Sequence, residues 1–134
     1  MDIKICTLQT HGDHRGSLIA LEEFRNIPFS IKRVYYMFAT LADVHRGNHA
    51  HHKLRQMAVA VRGTCRFLLD DGREKIRILM DSPSQGILLE PMIWHEIYDF
   101  SEDCVLMVLA DDLYVESDYI RNYEEFTRLV GSGD

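Results

Sequence analysis

Arg46-Gly47-Asn48-His49-Ala50-His51-His52-Lys53-Leu54-Arg55-Gln56 is the stretch on which the reading of this chain turns. Written R-G-x-H-x-H-x-K, it sets His49, His51 and Lys53 at every second position, and in an extended strand such residues leave the backbone on one face. His52 then falls on the other face and reads as a surface residue. The stretch leads into Gln56-Met57-Ala58-Val59-Ala60-Val61, and Arg62-Gly63-Thr64 turns the chain.

The flanks of this row also read as strands. Upstream, residues 31–39 are β-branched and aromatic, with Arg33, Tyr35 and Met37 on one face and Lys32, Val34, Tyr36 and Phe38 on the other. Before them lie a turn at Gly12-Asp13-His14-Arg15-Gly16, a short strand over residues 17–22, and a stop at Asn26-Ile27-Pro28. Downstream, Asp70-Asp71-Gly72-Arg73 joins two strand-like runs, 65–69 and 74–80, as a hairpin, because glycine tolerates the positive φ of a tight turn. A turn at 82–86 and a short apolar piece, 87–89, precede Pro91, which cannot donate in a ladder and so marks a bend or an edge. Residues 94–100 read as a further strand. The unbroken apolar run 104–110 reads as a strand covered on both faces. After Asp111-Asp112 the period becomes helical: Ser117 or Asp118 can cap, and Tyr119, Tyr123, Phe126 and Val130 recur before Gly131-Ser132-Gly133. The expectation is one all-β domain over residues 1–134, an antiparallel β-sandwich or small barrel with a short C-terminal helix.

Composition excludes several classes of function. A net charge of -6 argues against a general binder of nucleic acid or membrane surfaces, so an anionic ligand would need a local basic pocket. Three scattered cysteines, Cys6, Cys65 and Cys104, suggest neither a disulfide framework nor a zinc knuckle. The first residues lack the apolar run of a signal peptide, and no apolar stretch is long enough to span a bilayer, so a cytoplasmic location is expected.

Four of the seven histidines lie between positions 45 and 52, too dense a cluster to read as inert filler of a barrel mouth. H-x-H on a strand is a common chelating pair, and the cupin superfamily completes it with a glutamate shortly afterwards and a later histidine. His49, His51 and His95 follow that pattern, but the glutamate is missing: His52, Lys53, Leu54, Arg55 and Gln56 occupy the region, and a Lys53 ammonium would repel a divalent cation. The expectation is therefore no metal and no cofactor. Proton transfer is the alternative use of the pair, since an imidazole titrates near ~6.5 and takes and returns protons at neutral pH. Arg15, Arg33, Arg46 and Lys53 are placed to gather round an anionic substrate, for which the planar guanidinium fork is suited.

The chain resembles the dTDP-4-keto-6-deoxyglucose 3,4-ketoisomerases, sugar-nucleotide cupins that work without metal. The resemblance rests on Arg15-Gly16-Ser17-Leu18, residues 26–36, Arg46-Gly47-x-His49-Ala50-His51, Leu69-Asp70-Asp71-Gly72, Trp94-His95-Glu96, Asp99-Phe100-Ser101, Val108-Leu109-Ala110 and Ser117-Asp118-Tyr119-Ile120-Arg121. It implies a cupin jelly roll, a homodimer exchanging its N-terminal strand, and a carbonyl shift from C4 to C3 of a dTDP-linked 6-deoxyhexose in deoxyamino-sugar biosynthesis, for a lipopolysaccharide or S-layer glycan. On this resemblance His49 and His51 are the catalytic pair. Arg15, Arg33, Tyr35, Arg46, Lys53, Trp94 and His95 are candidates for holding substrate. Arg55 departs from the family, where an acidic residue is common, and would change the charge around the histidines. Arg15 leans toward the galacto product while Tyr98 stands where relatives vary, so both C4 configurations stay open. An epimerase of the same sugar nucleotide and a non-catalytic nucleotide-sugar-binding cupin are the competing readings.

Overall fold

In the computed structural model, which describes residues 1–131, two five-stranded antiparallel sheets enclose the main core. The strands are β1 (Ile5–Thr7), β2 (His11–Asp13), β3 (Gly16–Leu18), β4 (Arg33–Met37), β5 (Arg46–His51) and β6 (Gln56–Arg62). They continue as β7 (Cys65–Asp70), β8 (Lys75–Met80), β9 (Gln85–Leu89), β10 (Trp94–Tyr98), β11 (Val105–Ala110) and β12 (Tyr119–Ile120), before helix α1 (Tyr123–Gly131). One sheet runs β1-β9-β6-β11-β4 and the other β12-β5-β10-β7-β8, while β2 and β3 form a separate hairpin. The expected all-β sandwich with a short C-terminal helix is what the chain adopts.

Alternation decides which residues fill the space between the sheets. Ala58 and Ala60 of β6, Leu106 and Val108 of β11, and Ile87 and Leu89 of β9 point inward against Phe67 and Leu69 of β7 and Ile97 of β10. Tyr35 and Met37 of β4 pack on the same core, while Val34 and Tyr36 face outward, as the period-2 pattern predicts. The outer face of the first sheet is also covered over part of its width. Met57, Val59, Leu88 and Leu109 meet Leu8, Ile27 and Phe29 from the N-terminal segment, so β6 and β11 are buried on both sides.

Two sequence expectations change, and a third, the hairpin, holds. The strand expected over 17–22 is the shorter β3, which pairs only with β2 and lies fully exposed. The predicted hairpin forms between β7 and β8, with Gly72 at a φ of +96°; a Cβ there would run into Val130 Cγ2, so the turn also seats α1. The helix starts later than its apparent caps. Ser117 and Asp118 sit in a 3-10 turn, Tyr119 and Ile120 pair with β5, and Asn122 is the cap, accepting the Glu125 N–H at 2.9 Å. Ile120 is buried in a small core with Ala50, Trp94 and Phe126, which holds this segment to the sheet rather than in a helical turn. Ser132 and Gly133, which follow the expected helical run, lie outside the described residues.

Candidate active site

β5 carries the histidine row and is flanked by β10 and β12, and register dictates which rings meet. His49 is opposite His95 and His51 is opposite Tyr119. Directly opposed side chains in an antiparallel pair stand close. The ring centroids are accordingly 4.5 Å apart for His49–His95 and 4.3 Å for His51–Tyr119, with His49 and His51 themselves at 4.9 Å. The donor nitrogens of His49, His51 and His95 lie within 4.8 Å of one another.

A bulge shapes the entrance to this cluster. Gly47 pairs with Glu96 and His49 with His95, leaving Asn48 as the extra residue, with φ of +81° at Gly47 and +56° at Asn48. Strict alternation would put Arg46 and His49, three residues apart, on opposite faces. The inserted residue restores them to the same side, and both line a cavity of about 380 Å³ together with Arg33, Tyr35, His95 and Arg121. Glycine at 47 is required twice over: by its positive φ, and because a Cβ there would stand 3.0 Å from the His95 carbonyl oxygen. A neighbouring hollow of about 470 Å³ shares Arg33 and Tyr119 with the first and is lined by His51, Lys53 and Asp118.

Hydrogen bonds assign the tautomers of the strand histidines. His49 Nδ1 lies 2.9 Å from the Gly47 carbonyl oxygen, which only accepts, so the proton is on Nδ1 and Nε2 presents a lone pair. His51 Nδ1 lies 3.2 Å from Asp118 Oδ2, a carboxylate that likewise accepts, and its Nε2 is buried with no partner. Burial pushes all three imidazoles below their ordinary pKa, and neighbouring imidazoles lower His51 and His95 further. They are neutral bases at neutral pH. Tyr35 is the opposite case: its hydroxyl donates to Gln56 Oε1 at 2.6 Å, and burial pushes its ionisation up to about 12, so it stays protonated.

The site places the sequence candidates unequally. His49, His51, His95, Arg33, Tyr35 and Arg46 come together. Lys53 does not continue the row: β5 ends at His51, and the Lys53 backbone turns to donate to Asp118 Oδ1, leaving its side chain on the second hollow. Trp94 points away from the cavity, because β10 alternates and His95 takes the inward side. Its indole donates to Glu96 and packs on Tyr123 and Phe126 of α1. Arg15 sits on the β2–β3 hairpin, paired with Asp13, and lines neither cavity of the site in its own chain. Arg55 turns outward to Glu90 and the Pro28 carbonyl, so its charge does not face the histidines. The sequence reading missed Arg121, whose guanidinium lies 4.2 Å over the Tyr119 ring while pairing with Glu116. The alternation of Tyr119 and Arg121 was the signal, obscured by the helical spacing of Tyr119 and Tyr123.

The donor set does not match the metal-binding cupin pattern. Three imidazoles are present, but the described residues lining the His49–His95 cavity include no carboxylate and include three guanidiniums, from Arg33, Arg46 and Arg121. Such a cavity favours an anion over a divalent cation.

Comparison with known proteins agrees with this geometry. Residues 1–131 match the family described as FdtA: WxcM-like, C-terminal. A TDP-4-oxo-6-deoxy-alpha-D-glucose-3,4-oxoisomerase of Aneurinibacillus thermoaerophilus is 52% identical over 130 residues, covering 97% of this chain and 94% of the relative. A 3,4-ketoisomerase of Helicobacter canadensis superposes with a TM-score of 0.94 at 44% identity, covering 98% of each chain. A mutant of the 3,4-ketoisomerase QdtA from Thermoanaerobacterium thermosaccharolyticum, solved with TDP-4-keto-6-deoxyglucose, superposes at 0.95 with 36% identity over 97% of this chain and 94% of that one. With a family match along its described length and relatives this similar, the chain belongs to the FdtA (WxcM-like, C-terminal) family of sugar-nucleotide 3,4-ketoisomerases.

Proposed function

We propose that this protein converts TDP-4-keto-6-deoxyglucose to a TDP-3-keto-6-deoxyhexose, with His49 and His51 handling the protons. The observation that carries the reading is the meeting of buried, neutral imidazoles with the guanidiniums of Arg33, Arg46 and Arg121. The substrate's C4 ketone acidifies the C3–H. An imidazole with a free Nε2 takes that proton, giving an enediolate, and a proton is returned to C4. The C3 hydroxyl loses its proton as the C4 oxygen gains one, so the carbonyl moves and no electrons leave the sugar. Tyr35, whose hydroxyl proton is given to Gln56, forms a neutral part of the cavity wall, and the arginines hold the diphosphate in bidentate fashion.

The assembly is proposed as a homodimer with exchange of the N-terminal strand. Tyr36 on the outer side of edge strand β4 and Phe38 just beyond its end are 63% and 64% exposed, and Leu18 on the β2–β3 hairpin is 61% exposed. An exposed apolar face of this kind favours a partner. Arg15, on the same hairpin, is then delivered toward substrate by the second copy, and Lys53 approaches it from the neighbouring hollow. The product supplies an aminotransferase in the cytoplasm, for a lipopolysaccharide or S-layer glycan.

Incubation with TDP-4-keto-6-deoxyglucose in heavy water, followed by carbon and proton NMR, tests the activity. The expected result is carbonyl migration from C4 to C3 with deuterium at C4. In His49→Asn or His51→Asn the rate should fall by roughly 10²–10⁴-fold. Deuterium uptake without carbonyl migration would select an epimerase. Binding of TDP with no exchange at any sugar carbon would select a non-catalytic binding protein.

A further inference from the structure

Asp118 reaches the histidine row from 67 positions further along the chain, and its carboxylate is fully engaged. Oδ2 accepts from His51 Nδ1 at 3.2 Å and from the Leu54 backbone N–H at 3.1 Å, while Oδ1 accepts from the Lys53 backbone N–H at 2.9 Å. The Asp118 backbone takes part as well, its carbonyl accepting the His52 N–H at 3.0 Å. One residue therefore holds both the turn that ends β5 and the last imidazole on it. The other side of the His51 ring faces His49, His95 and Tyr119, and none of these is hydrogen-bonded to Nε2. Nothing on that side dictates which nitrogen carries the proton.

We infer that Asp118 is a positioning residue that locks His51 in the Nδ1–H tautomer and so reserves its Nε2 lone pair for the substrate. The kinetic part of this inference rests on the ketoisomerase reading; the tautomer part does not. A carboxylate suits the task because it offers acceptors only. An asparagine has one oxygen and one NH2, and three N–H donors converge on the two positions that Asp118 fills. Whichever way the amide turns, either Lys53 N–H loses its acceptor or the NH2 faces His51 Nδ1 and moves the ring proton to Nε2. In the second arrangement the nitrogen facing His49 becomes a donor and ceases to be a base.

Nitrogen-15 NMR of histidine-labelled protein without ligand reads the tautomer directly. In the unaltered chain His51 should show a protonated Nδ1 and an unprotonated Nε2; the reverse pattern would overturn the inference without any variant. Asp118→Asn should shift His51 toward Nε2–H and lower kcat by roughly 10²–10⁴-fold while KM changes less than threefold, as expected for a wrong tautomer. Asp118→Glu, which keeps the carboxylate, should recover at least tenfold of that loss. A folded Asp118→Asn variant with unchanged tautomer and unchanged kcat would refute the positioning role. If the unaltered chain proves inactive on the sugar nucleotide, the ketoisomerase reading falls and the kinetic half with it, and the tautomer measurement alone decides the remaining half.

Discussion

The two imidazoles of β5 are defined by what their Nδ1 atoms touch. His49 gives its Nδ1 proton to the Gly47 carbonyl and His51 gives its own to Asp118, so two lone pairs converge in one buried space. Burial disfavours the charged forms, and the folded-state pKa values lie below the ordinary imidazole value. The sign follows directly. A base must be unprotonated to work, and these stay unprotonated as pH falls through ~6.5, where a solvent-exposed imidazole is half charged. The acid limb of a kcat/KM profile should therefore lie below the ordinary imidazole value of ~6.5, measured on enzyme shown by circular dichroism to remain folded. A limb centred at or above ~6.5 would mean that the groups titrating there are not these histidines.

Among the elements, β5 shows how much a single inserted residue can change. The bulge at Asn48 turns Arg46 to the cavity side and needs glycine beside it. Gly47→Ala should lower stability by about 1–3 kcal/mol in urea unfolding, since alanine resists the positive φ and its Cβ presses on the His95 carbonyl. It should also weaken substrate binding by disturbing Arg46 and His95 together; a variant with unchanged stability and KM would contradict this account. Much of the fold could be read locally. The alternation of β4, the Asp-Gly hairpin and the two-sided burial of β11 all follow from side-chain period and turn chemistry within each segment. So did the pairing of His49 with His51. The bulge was not legible, because nothing local to Arg46-Gly47-Asn48 says that one residue will go unmatched by a strand fifty positions away. Strand β12 was hidden for a related reason. Ser117 and Asp118 carry the local signature of a helix cap, and the competing contacts of Tyr119 with His51 and of Ile120 with Phe126 are tertiary.

Viewed as a whole, the molecule divides its work between its sheets. The first, with β6 and β11 buried on both faces, is structural except at its edge strand β4, while the second carries the histidines and receives the returning C-terminal segment. The edge strand of the first sheet, β4, has its inner face in the site through Arg33 and Tyr35 and its outer face bare at Val34 and Tyr36. A dimer formed on that bare face would share a strand with the active site. Tyr36→Lys should yield a monomer in sedimentation equilibrium and lose at least tenfold in activity, whereas a variant of unchanged mass and rate would place the interface elsewhere.

The position of Trp94 has a practical consequence. It is the only tryptophan in the chain, packed against α1, and its backbone neighbour His95 sits in the histidine cluster on the opposite face of the same strand. Intrinsic fluorescence thus comes from one defined place, a packed indole one peptide bond from the histidine cluster that lines neither cavity. Its emission reports the docking of the C-terminal helix during unfolding.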